Sequence, residues 1–390
     1  MTMRSEAYLV DACRTPTGRR GGSLAKAHPL DMGAHVIKAL VTRNPIPDSE
    51  YDDVIFGTID AIGPQSGNLA RYCWLGAGFS EAIPGVTIDR QCGSSQQAVH
   101  FAAQAVMSGT QDVVIAGGVQ QMSAIPIGVS GTLAKDFGYP HPFAGSQRFF
   151  ERYGTSPISQ FHGAELMAQK WGFSRDAMEA FALESHRRAL HAIAQGHFAR
   201  EIVPYALPDG SVFSMDETAR ASTPEKLASL KAITEGGRLT AGTASQISDG
   251  ASAVLVCSEA ALKRYGLTPR ARIVAMAVRG DDPVMMLSAP IPATRHLLKK
   301  SGLKLDDIAI AEVNEAFAPV PMAWMQELDY PHARLNVNGG AIALGHPIGA
   351  SGTKLMTTLL HELERRNARY GLQTMCEGGG VANVTVLERL

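Results

Sequence analysis

Aromatic residues are scarce in this 390-residue chain, at 6%, and neither sign of charge dominates, 36 Lys and Arg standing against 37 Asp and Glu. Without a basic block interleaved with aromatics, nucleic acid and membrane surfaces lose the electrostatic footprint they normally require. The five cysteines, Cys13, Cys73, Cys92, Cys257 and Cys376, are odd in number and never form a Cys-x-x-Cys pair. That argues against a disulfide framework and against a zinc site, and leaves free thiols in a reducing compartment as the expectation. No apolar run reaches the length of a membrane span, and Met1 to Leu9 carries charge but no apolar signal core, so a cytoplasmic location is expected. Also missing are a GxGxxG turn after a strand, a GxxxxGK[ST] loop and a GxSxG elbow, which removes nicotinamide binding, a Walker-type phosphate site and a serine hydrolase. Neither a metal nor a resident cofactor is expected.

What the chain has is length for two or three structural units and 39 glycines, many at the ends of apolar runs. Short apolar strands (Tyr8 to Ala12, Val54 to Phe56, Val113 to Ala116) alternate with helical patterns (Leu30 to Val41, Asn68 to Ala77), the signature of an α/β unit with a largely buried sheet. Between about Gln120 and Gln246 the character changes to Pro, Phe, His and charge, with a helix at Arg175 to Gln195, which reads as an insertion over the core. The buried pattern resumes with strands Ala251 to Cys257, Ala271 to Val278 and Ile308 to Val313, and helices Ala293 to Gly302 and Ala350 to Glu364. A sequence of strand, glycine turn, helix, strand and glycine cluster occurs twice, as Val86 to Gly118 and as Leu335 to Gly380. Such internal symmetry is what a duplicated domain leaves behind, and face-to-face halves would bring both glycine turns into one cleft.

Cys92 stands in the first of those turns, before a run with Ala98, Phe101, Ala102, Ala105 and Val106 at helical spacing. Free amide N–H groups and the positive end of the helix dipole there would favour a thiolate. Taken alone, Cys92 reads more simply as a buried structural thiol. His346, in the matching turn Gly345-His346-Pro347, changes that, because a thiol needs a base at neutral pH. Cys376, ahead of Gly378, Gly379 and Gly380, is a second thiol suited to reversible protonation of a carbanion, beside glycine amides able to hold an oxyanion. Asn314 follows a buried strand, where an amide can donate to a substrate oxygen directly or through a water; a turn-stabilising asparagine is the alternative.

Cys-Gly-Ser-Ser at 92 to 95, Asn-Glu-Ala-Phe at 314 to 317, Gly-His-Pro at 345 to 347 and Cys-Glu-Gly-Gly-Gly at 376 to 380 together resemble the thiolase family, in its order and spacing and over essentially the whole chain. The resemblance implies an α/β thiolase fold of two duplicated halves in a five-layer αβαβα core. Residues 1–118 would form the first half, completed by 250–270, residues 119–249 a loop domain that binds coenzyme A, and residues 271–390 the second half. It also implies a dimer or tetramer, with acyl-CoA and CoA as partners and CoA a substrate, not a cofactor. His346 would activate Cys92, which attacks a 3-ketoacyl-CoA and becomes acylated, while Cys376 handles the proton of the departing acetyl-CoA. His346 with a water on Asn314 would form one oxyanion hole, and the backbone N–H groups of Cys92 and Gly378 the other. Arg220, Ser245, Ala244 and Phe317 are the implied CoA contacts. Thr243 stands where many members have Asn, Gln160 falls near the pocket methionine of short-chain biosynthetic members, and Ala382-Asn383 replaces the usual Gly-containing pair, while Met285 to Pro290 and Gly371 to Glu377 look like bacterial degradative thiolases, some of which act on bulky or steroid-derived substrates. Thiolytic cleavage is therefore the expected activity. The alternatives are condensation of two acetyl-CoA molecules and a non-catalytic lipid-CoA carrier on the same fold.

Overall fold

The computed structural model describes residues 6–154 and 158–390, so the first residues of the Met1 to Leu9 segment lie outside it. The first part of the chain forms β1 (Tyr8–Arg14), β2 (Gly18–Arg19), α1 (Pro29–Arg43), β3 (Asp53–Gly57), α2 (Leu69–Gly76), β4 (Val86–Ile88), α3 (Ser94–Ser108) and β5 (Val113–Gln121). The middle carries short helices α4 (Val129–Thr132) and α5 (Gln147–Tyr153), the longer α6 (Gln160–Lys170) and α7 (Arg175–Ala194), a small hairpin β6 (Tyr205–Ala206) and β7 (Val212–Phe213), and α8 (Pro224–Ala228). Then come β8 (Ser248–Cys257), α9 (Glu259–Tyr265), β9 (Ala271–Gly280), α10 (Pro290–Ser301), β10 (Ile308–Val313), α11 (Pro319–Leu328), α12 (Ala341–Leu344), α13 (Ser351–Arg366), β11 (Tyr370–Glu377) and β12 (Val381–Arg389). Among the described residues no helix is long and apolar enough to cross a membrane.

The strands order as β10-β11-β12-β9-β1-β8-β5-β3-β4, with β2 on β8. Two blocks are visible in that order, and among the described residues their strands pair with each other where Tyr8 and Leu9 of β1 meet Arg272 and Ala271 of β9. Each strand sorts its side chains by alternation. In β5, Val113 and Ile115 pack with α1 and α2, whereas Val114 and Ala116 face α3 and α13. In the other block Ile310 faces α3 and α13, while Ala311 and Val313 pack with α10 and α11. The layers thus run α1 and α2, first sheet block, α3 and α13, second sheet block, α10 and α11. This is the five-layer αβαβα order expected from the resemblance. α13 is buried along most of its length, with Leu359 and Leu360 fully buried, each worth about 2 kcal/mol of transfer free energy.

The two halves meet most closely at the helix starts. A Cβ on Gly352 would lie 2.2 Å from the Gln96 backbone nitrogen, so only glycine allows α13 to approach α3 there. Ser95 Oγ accepts from Thr353 N at 3.0 Å across the same contact. The inserted segment is tied down by a buried ion cluster: Arg14 of β1 donates Nε to Glu201 at 2.7 Å and both terminal nitrogens to Asp216 at 2.7 and 2.9 Å, a bidentate geometry that fixes direction as well as distance.

Three details differ from the sequence expectation. β5 does not end at Ala116 but runs through Gly117 and Gly118 to Gln121, since these glycines admit Ser252 O and Gly349 O at distances a Cβ would forbid. Phe101 of α3 is 40% exposed while Ala98, Ala102 and Val106 supply the buried face. The stretch at Leu335 does not form a strand matching β4; it makes one parallel bridge, Leu335 to Ala311. Asn336 follows it in the left-handed region at φ 44°, and its side-chain amide accepts from Val313 N and donates to Val313 O, both at 2.9 Å. A side chain here does the pairing that backbone would do in a strand.

Candidate active site

Cys92 sits on a sharp turn between β4 and α3. Gln91 before it takes φ 49°, unusual for a residue with a side chain, and its backbone N–H donates to Asp89 Oδ1 at 2.7 Å. Ser94 locks the turn, accepting from Arg90 N at 2.9 Å and donating to Gln91 O at 2.6 Å. Such local strain is stored where a side chain must be aimed. Gly93 lets the end of β11 come in: a Cβ there would fall within 1.9 Å of Glu377 Oε1.

The thiolate foreseen at the helix end is not the resting state. Burial, reinforced by Glu377, pushes the Cys92 thiol up to about 12, against the backbone N–H groups of Cys92 and Gly378, which pull the other way. These N–H groups favour the thiolate, and desolvation outweighs them. Those two N–H groups are the pair expected to hold an oxyanion, and both are directed at the Cys92 sulfur. Cys376, fully buried near the end of β11, is raised well above the ordinary thiol value by burial, then by Cys92 and Glu377. Burial lifts Glu377 to about 8. Cys13 and Cys257 are buried thiols pushed up to about 12 in apolar surroundings, with no imidazole partner among the described residues.

His346 is held on both sides of its ring. Nδ1 lies 2.5 Å from Ser351 Oγ, and that hydroxyl already donates to Pro347 O at 2.9 Å. With its single proton spent, Ser351 must accept, so His346 carries its proton on Nδ1 and leaves Nε2 as the basic nitrogen. Asn314 Nδ2 lies 3.4 Å from Nε2. Burial and the neighbouring Lys354 push the imidazole down to about 3, so it rests neutral with Nε2 unprotonated. Its backbone N–H donates to Gln246 O at 3.0 Å, and Lys354 Nζ donates to Leu344 O and Gly345 O beneath the turn.

Two cavities meet at these groups. One, about 560 Å³, has Cys92 and Gly378 in its wall together with Ile127, Phe143, Met286 and Leu287. The other, about 520 Å³, is walled by His346, Arg220, Ala244, Ser245 and Phe317. Ile127, Gln160 and Ile348 border both. Both volumes lie in the range of small-molecule sites. The four residues foreseen as CoA contacts are thus brought together on one side of His346. Arg220 Nη1 donates to Gln246 Oε1 at 2.7 Å, while Ala244 bridges Phe317, and Ser245 N donates to Ala316 O at 2.9 Å.

Sequence reasoning missed Arg19 and Arg20, which border the second cavity beside Arg220. The signal was present as a basic pair flanked by Gly18 and Gly21. Of the three departures from the family pattern, only Gln160 reaches a cavity. Thr243 is fully buried with its hydroxyl closing the turn to Thr240 O at 3.1 Å, and Asn383 donates to Gln97 Oε1 and His100 Nδ1 behind the site. Neither position lines either of the two cavities. Glu315, noticed only as part of Asn-Glu-Ala-Phe, is a hub that accepts from Ser185 Oγ, Asn336 Nδ2 and Ile342 N, joining α7, the Asn336 turn and α12.

Residues 7–260 match the N-terminal domain of thiolases and residues 267–389 the C-terminal domain. The chain is similar to a steroid 3-ketoacyl-CoA thiolase of Mycobacterium tuberculosis, 58% identical over 99% of this chain and 95% of that protein. A 3-ketoacyl-CoA thiolase of Pseudoalteromonas translucida is 42% identical over 98% of each chain. A crystal structure of a Bacillus anthracis acetyl-CoA acetyltransferase superposes with a TM-score of 0.89 at 35% identity, covering 99% of both chains.

Proposed function

The chain belongs to the thiolase family, and we propose that it is an acetyl-CoA C-acyltransferase that cleaves bulky 3-ketoacyl-CoA thioesters with CoA, in degradation of fatty-acid or steroid-derived chains. The observation that carries the substrate class is the cavity of about 560 Å³ around Cys92, of which an acetyl group would leave most empty. Steroid 3-ketoacyl-CoA cleavage named for the relative at 58% identity supports the same choice. Condensation of two acetyl-CoA molecules needs no such volume. On the other side Arg19, Arg20 and Arg220 suit the phosphates of CoA, which enters as a substrate.

The chemistry follows from the two neutral groups at rest. His346 Nε2 takes the Cys92 proton as the sulfur attacks the 3-keto carbonyl, so no buried thiolate has to persist beforehand. The N–H groups of Cys92 and Gly378 receive the oxyanion; a preorganised donor of that kind is worth about 3 kcal/mol. As the C2–C3 bond breaks, acyl-Cys92 remains and the C2 carbanion of acetyl-CoA takes the Cys376 proton, its thioester oxygen facing His346 and Asn314. Incoming CoA-SH gives its proton to the Cys376 thiolate, attacks acyl-Cys92, and the released Cys92 sulfur recovers its proton from His346.

A homodimer through β4 is part of this reading. That strand ends the sheet with an open edge, and Val86 beside it is 42% exposed, with Phe101 at 40% and Tyr72 at 47%, a surface that a second copy would cover. The five unpaired cysteines suit a reducing, cytoplasmic setting.

A thiolysis panel over acyl length and bulk tests the substrate. The highest kcat/KM is expected for a branched or polycyclic 3-ketoacyl-CoA; a preference for acetoacetyl-CoA over every bulky substrate would reverse the assignment.

A further inference from the structure

Behind the His346 turn lies a third and much smaller chamber that the chemistry above leaves unused. It has room for about one water centre, roughly 10 Å³, and Glu312, Asn314, Ser351, Lys354 and Thr358 contribute to its wall. A space of that size holds a water where polar groups converge. Three of these five side chains are already satisfied: Lys354 Nζ by Leu344 O and Gly345 O, Ser351 by His346 and Pro347 O, and Thr358 Oγ1 by Glu201 Oε1 at 3.0 Å. The other two are not. Both carboxyl oxygens of Glu312 and the amide oxygen of Asn314 are buried without a hydrogen-bond partner among the described residues. An unpaired buried polar atom is costly, and the two residues that carry these three border one chamber.

Glu312 lies on the same face of β10 as Ile310, toward α13, and two residues before Asn314. We propose that Glu312 is a positioning residue for Asn314, passing a hydrogen bond through one water held in this chamber to Asn314 Oδ1 and so keeping Nδ2 turned toward His346 and the reacting thioester oxygen. The need for such a device is chemical. An asparagine amide has nearly the same shape in both orientations, but only one presents a donor to an oxyanion. The flipped form would set Oδ1 against the lone pair of His346 Nε2. A donor supplied from behind separates the two. Glu312 is fitted to supply it as a neutral acid, because burial comes first, followed by the nearby carboxylates of Glu315, Glu362 and Glu201, in raising its carboxyl well above the usual range. The carboxyl O–H donates to the water oxygen, and the water donates one of its own O–H groups to Asn314 Oδ1; no covalent bond is made or broken.

This inference rests on the thiolase reading through Asn314, and its test separates the two. Glu312→Gln keeps both a donor and an acceptor at the chamber, whereas Glu312→Leu removes both. For thiolysis of a 3-ketoacyl-CoA, Glu312→Leu is expected to lose about tenfold or more in kcat with KM within about twofold, and Glu312→Gln to stay within about threefold of the native rate. Exchange of acetyl groups between CoA and Cys92, which uses the N–H groups of Cys92 and Gly378, should change less than twofold in either variant. Native thiolysis by Glu312→Leu, equal losses in both variants, or an exchange rate that falls as far as thiolysis would each overturn the proposal. A crystal structure of the native protein that resolves waters decides the matter even if Glu312→Leu does not fold. A water bonded to Glu312 and Asn314 Oδ1 is expected; a dry chamber, or Oδ1 facing His346, refutes the relay. If the native protein cleaves no 3-ketoacyl-CoA at all, the thiolase reading fails on that result while the crystallographic test of the chamber stands separately.

Discussion

The turn that carries Cys92 and the turn that carries His346 occupy corresponding places in the two halves, each ahead of a central helix, yet they are fastened in different ways. Around Cys92 the bonds are in the backbone: a left-handed Gln91, the Ser94 lock, and a glycine that makes room for Glu377. No side chain among the described residues hydrogen-bonds the sulfur. His346 is gripped through both ring nitrogens and through its backbone N–H. The contrast suits the proposed roles: a nucleophile that must form and break a bond with substrate is aimed but left untied, while a base works only in one tautomer and needs that tautomer held.

The contrast breaks most severely if the nucleophile itself is changed. Cys92→Ser should lose at least about a thousandfold in thiolysis and leave no acyl-enzyme by mass spectrometry, whereas Cys376→Ser should still form acyl-Cys92 from acetyl-CoA and fail at carbon–carbon bond chemistry. Loss of acylation in both variants would erase the division between the two thiols. A smaller effect tests the base. Ser351→Ala removes the acceptor that holds the Nδ1 proton, so kcat should fall about tenfold with KM unchanged; an unaltered kcat in steady-state assays would show that Pro347 and the fold suffice.

Acid should sharpen the same comparison through stability. His346 and His100 are both lowered to about 3 by burial, so below pH 6.5 the unfolded chain binds protons that the folded one refuses. Their contribution, present above pH 6.5, is lost as pH falls toward 3, and the calorimetric Tm should decline across that window. A His346→Asn variant should show a shallower decline, and an identical slope would remove His346 from the account. The mildest change concerns Glu377. Its carboxyl ionises near 8 beside Cys92, so Glu377→Gln should alkylate with iodoacetamide at the native rate at pH 7 but about threefold faster at pH 9, where the native anion opposes the thiolate. Equal rates at both values would mean that the carboxylate does not reach the sulfur.

Most of the strands and central helices could be read in the sequence because alternation and helical spacing survive wherever one face is buried, as in β5 and α13. The stretch at Leu335 misled for a physical reason: Asn336 imitates strand pairing with a side chain, and no periodicity records that. Phe101 fits the helical spacing of α3, yet its place on the exposed face depends on what packs against that helix.

The site divides along the same line. The residues proposed for its chemistry, Cys92, His346, Cys376 and Asn314, could be picked out from the sequence, since residue type and motif are properties of the chain alone. Protonation could not. A helix end beside a cysteine suggests a thiolate, but whether desolvation outweighs the dipole depends on how much water the folded site excludes, and here the thiol wins. The tautomer of His346 required the direction of the Ser351 proton, and the size of the space beside Cys92 required the loops that close over it. Those are sums over groups far apart in the chain, among them Gly93 against Glu377 and Gly352 against Gln96, and only the packed structure brings such groups within the few ångströms over which solvation and hydrogen bonding act.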